Sequence, residues 1–227
     1  MPDQVGQVGQ VEPVEPVLEA RAVRYGYRRG QTVIDDFSAQ AGRGTVTAIT
    51  GRSGTGKSTM LYLLAGLLTP WSGQVLLDGQ SMGDLSDAEL SRVRARRFGF
   101  VFQDVVLDPR RTIVDSVLEP CLYAGVTRAD RTDRAMELLN RLEVDLRATS
   151  RPGEISGGQA QRVGVCRALL LEPDLVFADE PTGNLDDESA DIVLSALEHA
   201  ADDGCTVLVA THDPRVVERC SGRIVMA

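Results

Sequence analysis

Residues 45–68 read TVTAIT-GRSGTGKS-TMLYLLAGLL, and this run decides the architecture. The β-branched and small apolar residues at 45–50 predict a strand, and the Leu, Met and Ala content after Ser58 predicts a helix. Between them lies Gly51-Arg52-Ser53-Gly54-Thr55-Gly56-Lys57-Ser58, a G-x-x-x-x-G-K-S loop. Its glycines let backbone N–H groups turn inward around phosphate oxygens, where a Cβ would crowd them. The helix that follows directs its positive N-terminal end at the same anion. Lys57 adds a full charge for the β- and γ-phosphates, Ser58 offers a hydroxyl to Mg²⁺, and Thr59 closes the nucleotide-binding run. Chance alone produces this loop in roughly 1% of chains of this length. Here it also sits between a strand and a helix, so ATP or GTP binding is the reading.

Working outward, short β-branched runs alternate with longer helical patterns, as in a parallel sheet with crossover helices. Residues 18–24 and 32–39 predict two opening antiparallel strands joined by a turn at 26–30. After a helix at 57–68 come a strand at 74–77, a basic helix to residue 97 opened by a Ser86/Glu89 capping box, and a strand at 98–102. The segments 112–125, 127–143 and 156–171 then predict helices with no strand between them, with Thr127 and Asp130 as a second capping box. This block, about 104–168, reads as a helical insert in an otherwise α/β core. The α/β pattern resumes with strands at 175–178, 205–210 and 223–226 and helices at 188–201 and 214–220. One domain is expected over 18–227, preceded by a Val/Gln/Glu/Pro-rich tail at 1–17 expected to be disordered.

Two further motifs carry chemistry. Leu175-Val176-Phe177-Ala178-Asp179-Glu180 is an apolar strand ending in two carboxylates, which places them at the carboxyl edge of the sheet. Asp179 suits Mg²⁺ binding and Glu180 suits polarisation of the attacking water. Taken alone, an Asp-Glu pair here reads equally well as a turn; the upstream phosphate loop favours function. Ile155-Ser156-Gly157-Gly158-Gln159 opens a helix and makes a second glycine-rich anion site. A chain with one phosphate loop has no evident need of two. The economical explanation is that Ser156, Gly157, Gly158 and Gln159 grip the γ-phosphate held by a partner subunit.

Composition narrows the classes. The 227 residues are 43% hydrophobic and 25% charged, ordinary for a globular domain. A net charge of −9 argues against coating nucleic acid, so no nucleic-acid partner is expected. No apolar run reaches the ~18 residues of a membrane helix. Cys121, Cys166, Cys205 and Cys220 show no metal spacing; Cys166 and Cys205, set among apolar residues, read as buried thiols in a reduced compartment. His199, beside Glu198 in a polar helix, reads as a solvated surface residue.

Together these motifs resemble the ABC transporter ATPase family from about Leu18 onward. The resemblance implies a P-loop NTPase (RecA-like) core with an antiparallel β subdomain and an inserted α-helical subdomain, using ATP and Mg²⁺. It implies further roles at matching positions. Gln103 matches the glutamine loop that touches Mg²⁺ and water. Asn184-Leu185-Asp186 matches the loop that crosses the dimer, and His212 the switch histidine on the γ-phosphate. Tyr27 is the choice for the aromatic on adenine, with Tyr25 the alternative because one residue of slippage exchanges them; a buried core role stands open for either. Ile155 replaces the usual Leu of the signature, and Arg52 a frequent Pro at a position that contributes backbone. The string from Ala178 through Gly183-Asn184-Leu185-Asp186 looks like the lipoprotein-release, macrolide-efflux and cell-division branch. What this implies is a peripheral subunit at the cytoplasmic face of the cell membrane that pairs with an integral-membrane permease. It would form a homodimer, or a heterodimer with another ABC ATPase. The alternative is a non-transporting mechanotransmission ATPase of the cell-division type.

Overall fold

Strand β1 (Pro16–Tyr25) begins the computed structural model, which describes residues 16–226. It starts two residues before the expected position: Pro16 pairs with Gly42 and Val17 is buried. The expected tail otherwise lies outside the described residues. β1 pairs antiparallel with β2 (Ile34–Gly42), and its buried side chains change phase partway, from Leu18 and Ala20 to Val23 and Tyr25. A bulge makes the change possible. Ala22 takes φ 49°, and the register slips between Ala20 and Val23. Without that extra residue Tyr25 would face the opposite side of the sheet.

The chain continues through β3 (Val46–Thr50), α1 (Lys57–Leu64), β4 (Ser72–Leu77), β5 (Gln80–Ser81), α2 (Asp87–Arg97) and β6 (Phe98–Val101). Four short helices follow: α3 (Ile113–Val117), α4 (Pro120–Ala124), α5 (Thr132–Arg141) and the longer α6 (Gly157–Leu169). The remainder is β7 (Leu175–Asp179), α7 (Asp187–Asp202), β8 (Thr206–Ala210), α8 (Pro214–Glu218) and β9 (Gly222–Val225). The antiparallel sheet has the order β2-β1-β4-β5, and the parallel sheet β6-β7-β8-β3-β9.

Three elements differ from the sequence reading for local reasons. α1 stops at Leu64 rather than Leu68, because Gly66 adopts φ 62° and the Gly66 and Leu67 amides donate to the Leu63 and Tyr62 carbonyls. That is a Schellman stop. The helix expected at 112–125 is two pieces, because Pro120 opens α4 and its ring nitrogen has no proton for the preceding turn. The second capping box does not form. Thr127 makes no side-chain cap, and residues 128–131 wind as a tight 3₁₀ turn whose Arg128 and Arg131 pair with Asp115 and Glu172. Tertiary ion pairs outweigh a local i,i+3 pattern there. The Ser86/Glu89 box is formed as expected.

β7 and β8 are buried along their whole length, as central parallel strands covered on both faces must be. One face meets α3, α5, α6 and α7. The other meets α1 and the antiparallel sheet, with Phe177 edge-on to Phe98 and stacked on Phe100 at ring-centre distances of 5.1 and 5.7 Å. Arg97 at the end of α2 links the two sheets by pairing with Asp78 at 2.6 Å and Asp174 at 2.5 Å. The register aligns Val101 with Ala178, Asp179 with Ala210, and Ala210 with Ile49. The carboxyl ends of β3, β6, β7 and β8 therefore open on one edge.

Candidate functional site

That edge gathers the predicted residues. After β3 the loop carries positive φ at Gly54 (83°) and Gly56 (89°), values that side-chained residues adopt at a cost. A Cβ at Gly56 would lie 2.9 Å from the Val33 side chain, so the start of β2 holds the loop close. At Gly54 a Cβ would meet nothing within 4 Å, so the positive φ rather than crowding favours glycine there. The loop ties itself through Thr55, whose hydroxyl donates to the Arg52 carbonyl at 2.9 Å. Arg52 and Ser53 are exposed. The Lys57 ammonium reaches back over the loop to the Gly51 and Arg52 carbonyls at 3.3 and 3.4 Å. These are long, weak contacts that a phosphate would replace with charge-assisted ones.

Beside the loop, the Ser58 hydroxyl donates to Asp179 Oδ1 at 2.7 Å. A hydroxyl whose proton is committed to a carboxylate keeps its lone pairs for a cation. Asp179 is only 5% exposed. A hydroxyl, a carboxylate and the nearby Gln103 amide oxygen form an all-oxygen set suited to Mg²⁺.

Glu180 follows in the left-handed region at φ 45°, a strained setting for a non-glycine residue. Its amide donates to the Ala210 carbonyl at 2.8 Å. Its carboxylate accepts from His212 Nδ1 at 2.8 Å and from the Thr211 hydroxyl at 3.2 Å. The carboxylate is thus held at the sheet edge, and His212 is largely exposed. His199 is also exposed, on α7, with its ring nitrogen Nδ1 bonded to the Ser195 carbonyl.

Ser156 caps α6 in a full capping box with Gln159. Its hydroxyl accepts from the Gln159 amide, which leaves the hydroxyl proton to donate elsewhere. Ser156 and Gly157 are exposed. Through Gly157 the turn borders Gln103, Glu180 and Asn184. Gln161 fixes α6 to the Gln103 segment by donating to the Phe102 carbonyl at 3.1 Å. Asp186 caps α7 by accepting from the Ser189 amide at 2.8 Å, and that bond holds its carboxyl below the usual range.

The two tyrosines separate. Tyr25 is buried edge-on between Tyr27 and Trp71. Tyr27 is 63% exposed, with its hydroxyl 3.0 Å from that of Thr59 on the first turn of α1. Two side chains absent from the sequence reading also lie in the site. Thr211 holds Glu180, and Tyr62 donates to Asp179 Oδ2 at 2.7 Å. Burial, then the Asp179 carboxylate, push the Tyr62 phenol above its ordinary value. The available signal for Tyr62 was its spacing, four residues after Ser58 on the same helix face.

The chain is similar to known proteins over most of its length. A match to the family described as ABC transporter spans residues 34–183. The chain is 39% identical over 203 residues to the macrolide export ATP-binding/permease protein MacB of Photorhabdus laumondii, covering 88% of this chain and 31% of that protein. It is 42% identical over 196 residues to the lipoprotein-releasing system ATP-binding protein LolD 1 of Chlorobium chlorochromatii, covering 86% and 80%. It thus spans about a third of the length of the macrolide export proteins it matches. Among solved structures, the dimeric ATP-binding cassette MJ0796 in a post-hydrolysis state with ADP and Pi is 33% identical at a TM-score of 0.84, covering 92% of this chain and 94% of that one.

Proposed function

This chain belongs to the ABC transporter family, and on that premise we propose that it hydrolyses ATP as one half of a head-to-tail pair of cassettes. One observation carries the proposal. The chain owns two anion-binding turns, the phosphate loop at 51–58 and the capped turn at Ser156–Gln159, exposed at Ser156 and Gly157, so a single nucleotide leaves the second turn without an anion. A partner cassette, a second copy or another ABC ATPase, supplies what is missing. The solved relative MJ0796 is itself dimeric.

In each half, the loop amides at 51–56 and Lys57 bind the phosphates, Tyr27 stacks on adenine, and the partner's signature turn closes over the γ-phosphate. Asp186, at the head of α7, lies in the loop that meets the partner. Ser58, Asp179 and Gln103 would hold Mg²⁺, which when bound neutralises phosphate charge. Glu180 accepts the proton of the attacking water, and Thr211 and His212 keep its carboxylate aimed while His212 faces the γ-phosphate.

The motion reaches a membrane permease through the helices between β6 and β7. A groove of about 620 Å³ between α2, β6 and α4 is lined by Phe98, Phe100, Tyr123 and Phe102, the last of which precedes Gln103. Tyr123 is exposed there on α4. An amphipathic permease helix fits this groove. Among the described residues no helix is long and apolar enough to cross a membrane. In this reading the chain attaches to the permease at the cytoplasmic face of the membrane. Export or lipoprotein release, the work named for its relatives, fits this design.

The test is Glu180→Gln with Mg-ATP, followed by light scattering and phosphate release. Binding should persist, turnover should fall by roughly 10²–10⁴, and the trapped protein should run at twice its monomer mass. A monomer at saturating ATP, or full turnover, refutes the proposal.

A further inference from the structure

We infer that Tyr62 is a positioning residue for the metal, setting divalent-cation affinity by orienting the second oxygen of Asp179. The inference rests on Asp179 serving as a metal ligand. Asp179 is buried, and both its oxygens are taken: Oδ1 by Ser58 at 2.7 Å and Oδ2 by Tyr62 at 2.7 Å. Ser58 and Tyr62 stand one turn apart on α1, so a single rigid helix presents both donors. Two fixed donors on one carboxylate set its plane as well as its position. Ser58 alone would leave it free to rotate about its Cβ–Cγ bond.

The hydroxyl of Tyr62 is the informative part. A phenylalanine would fill the same space, whereas the phenol donates to the buried carboxylate at good length. Tyr62 and Asp179 also line one cleft with Phe102, Gln103 and Asp104. An outer partner that fixes a ligating carboxylate contributes roughly 10–100-fold to metal affinity. Because Ser58 still holds Oδ1 when Tyr62 is lost, the effect falls at the lower end.

The experiment measures ADP binding to the full chain by equilibrium fluorescence of a labelled ADP, in EDTA and across a Mn²⁺ titration. Mn²⁺ occupancy is followed separately by the electron paramagnetic resonance of the free ion. Tyr62→Phe should bind ADP in EDTA like the wild type and require about 10-fold more Mn²⁺. Tyr62→His, which keeps a ring N–H donor, should require nearly the wild-type Mn²⁺ concentration; it carries the test should the Phe variant not fold, and an about 10-fold loss in it would refute the role of the hydrogen bond. Asp179→Asn is the reference. If it also leaves Mn²⁺ binding unchanged, the metal-ligand reading of Asp179 fails. If it weakens Mn²⁺ while Tyr62→Phe does not, the role of Tyr62 alone is refuted. Equal loss of ADP binding in EDTA by Tyr62→Phe would mean that the tyrosine merely supports the fold, and would also refute it.

Discussion

Replacing Gly99 by alanine should destabilise this protein far more than its ordinary strand geometry suggests. Gly99 lies in the middle of β6, where α6 crosses against the sheet. A Cβ there would lie 2.4 Å from the Ala168 carbonyl oxygen and 3.1 Å from its carbon, with the Val176 side chain at 3.2 Å. The nearest obstacle is backbone, which cannot rotate away as a side-chain tip could. To reach even a 3.0 Å contact, β6 and α6 must part by about 0.6 Å. Overpacking of this kind costs roughly 1–3 kcal/mol, and backbone contact on a buried helix puts it in the upper half. At about 2–4 °C per kcal/mol for a chain of this size, the melting temperature should fall by roughly 4–12 °C. Differential scanning calorimetry measures this directly. Nucleotide binding should survive in the folded fraction, since the phosphate loop follows β3, three strands away in the sheet. A Gly99→Ala protein melting within about 1 °C of the wild type would show that the α6–β6 contact is soft, and the argument would fail.

Three other outcomes follow from the same geometry. Lys57→Ala removes the one full charge on the phosphate loop's helix end and should weaken ATP binding by roughly 10- to 150-fold, the scale of a charge-assisted hydrogen bond, as measured by calorimetric titration. Tyr27→Ala should cost ATP affinity about 1–3 kcal/mol while leaving GTP and ATP equally affected, as a stacking contact requires; Tyr25→Ala should instead lower the melting temperature with little change in affinity. Burial pushes the Cys166 thiol upward and that of Cys205 up to about 12, so at pH 8 both stay protonated. Iodoacetamide followed by mass spectrometry should leave them unlabelled until the protein is denatured, and labelling of Cys166 in the native state would contradict its place in the core.

Much of this protein is legible in its sequence because its chemistry is local. The phosphate loop needs glycines at fixed offsets from one lysine and one serine, and eight adjacent residues supply them all. The strand-end pair Asp179-Glu180 and the capping box at Ser156 are likewise contiguous, and a strand's length and polarity suffice to place them at a sheet edge. Helix ends were less secure. The stops at Gly66 and Pro120 were present as residue types, yet apolar periodicity runs through them, and at Thr127 long-range ion pairs overrode the local pattern. What the sequence alone could not decide is which groups meet across the fold. Tyr62 lies 117 residues from Asp179, and Thr211 lies 31 from Glu180. Gly99 looks like any small residue in a strand until α6 is laid across it. Which of Tyr25 and Tyr27 is buried turned on a bulge at Ala22 that shifts the buried phase of β1 by one residue. Local rules fix what each segment presents, whereas sheet order and register fix what it faces, because those depend on hydrogen bonds between strands far apart in the chain.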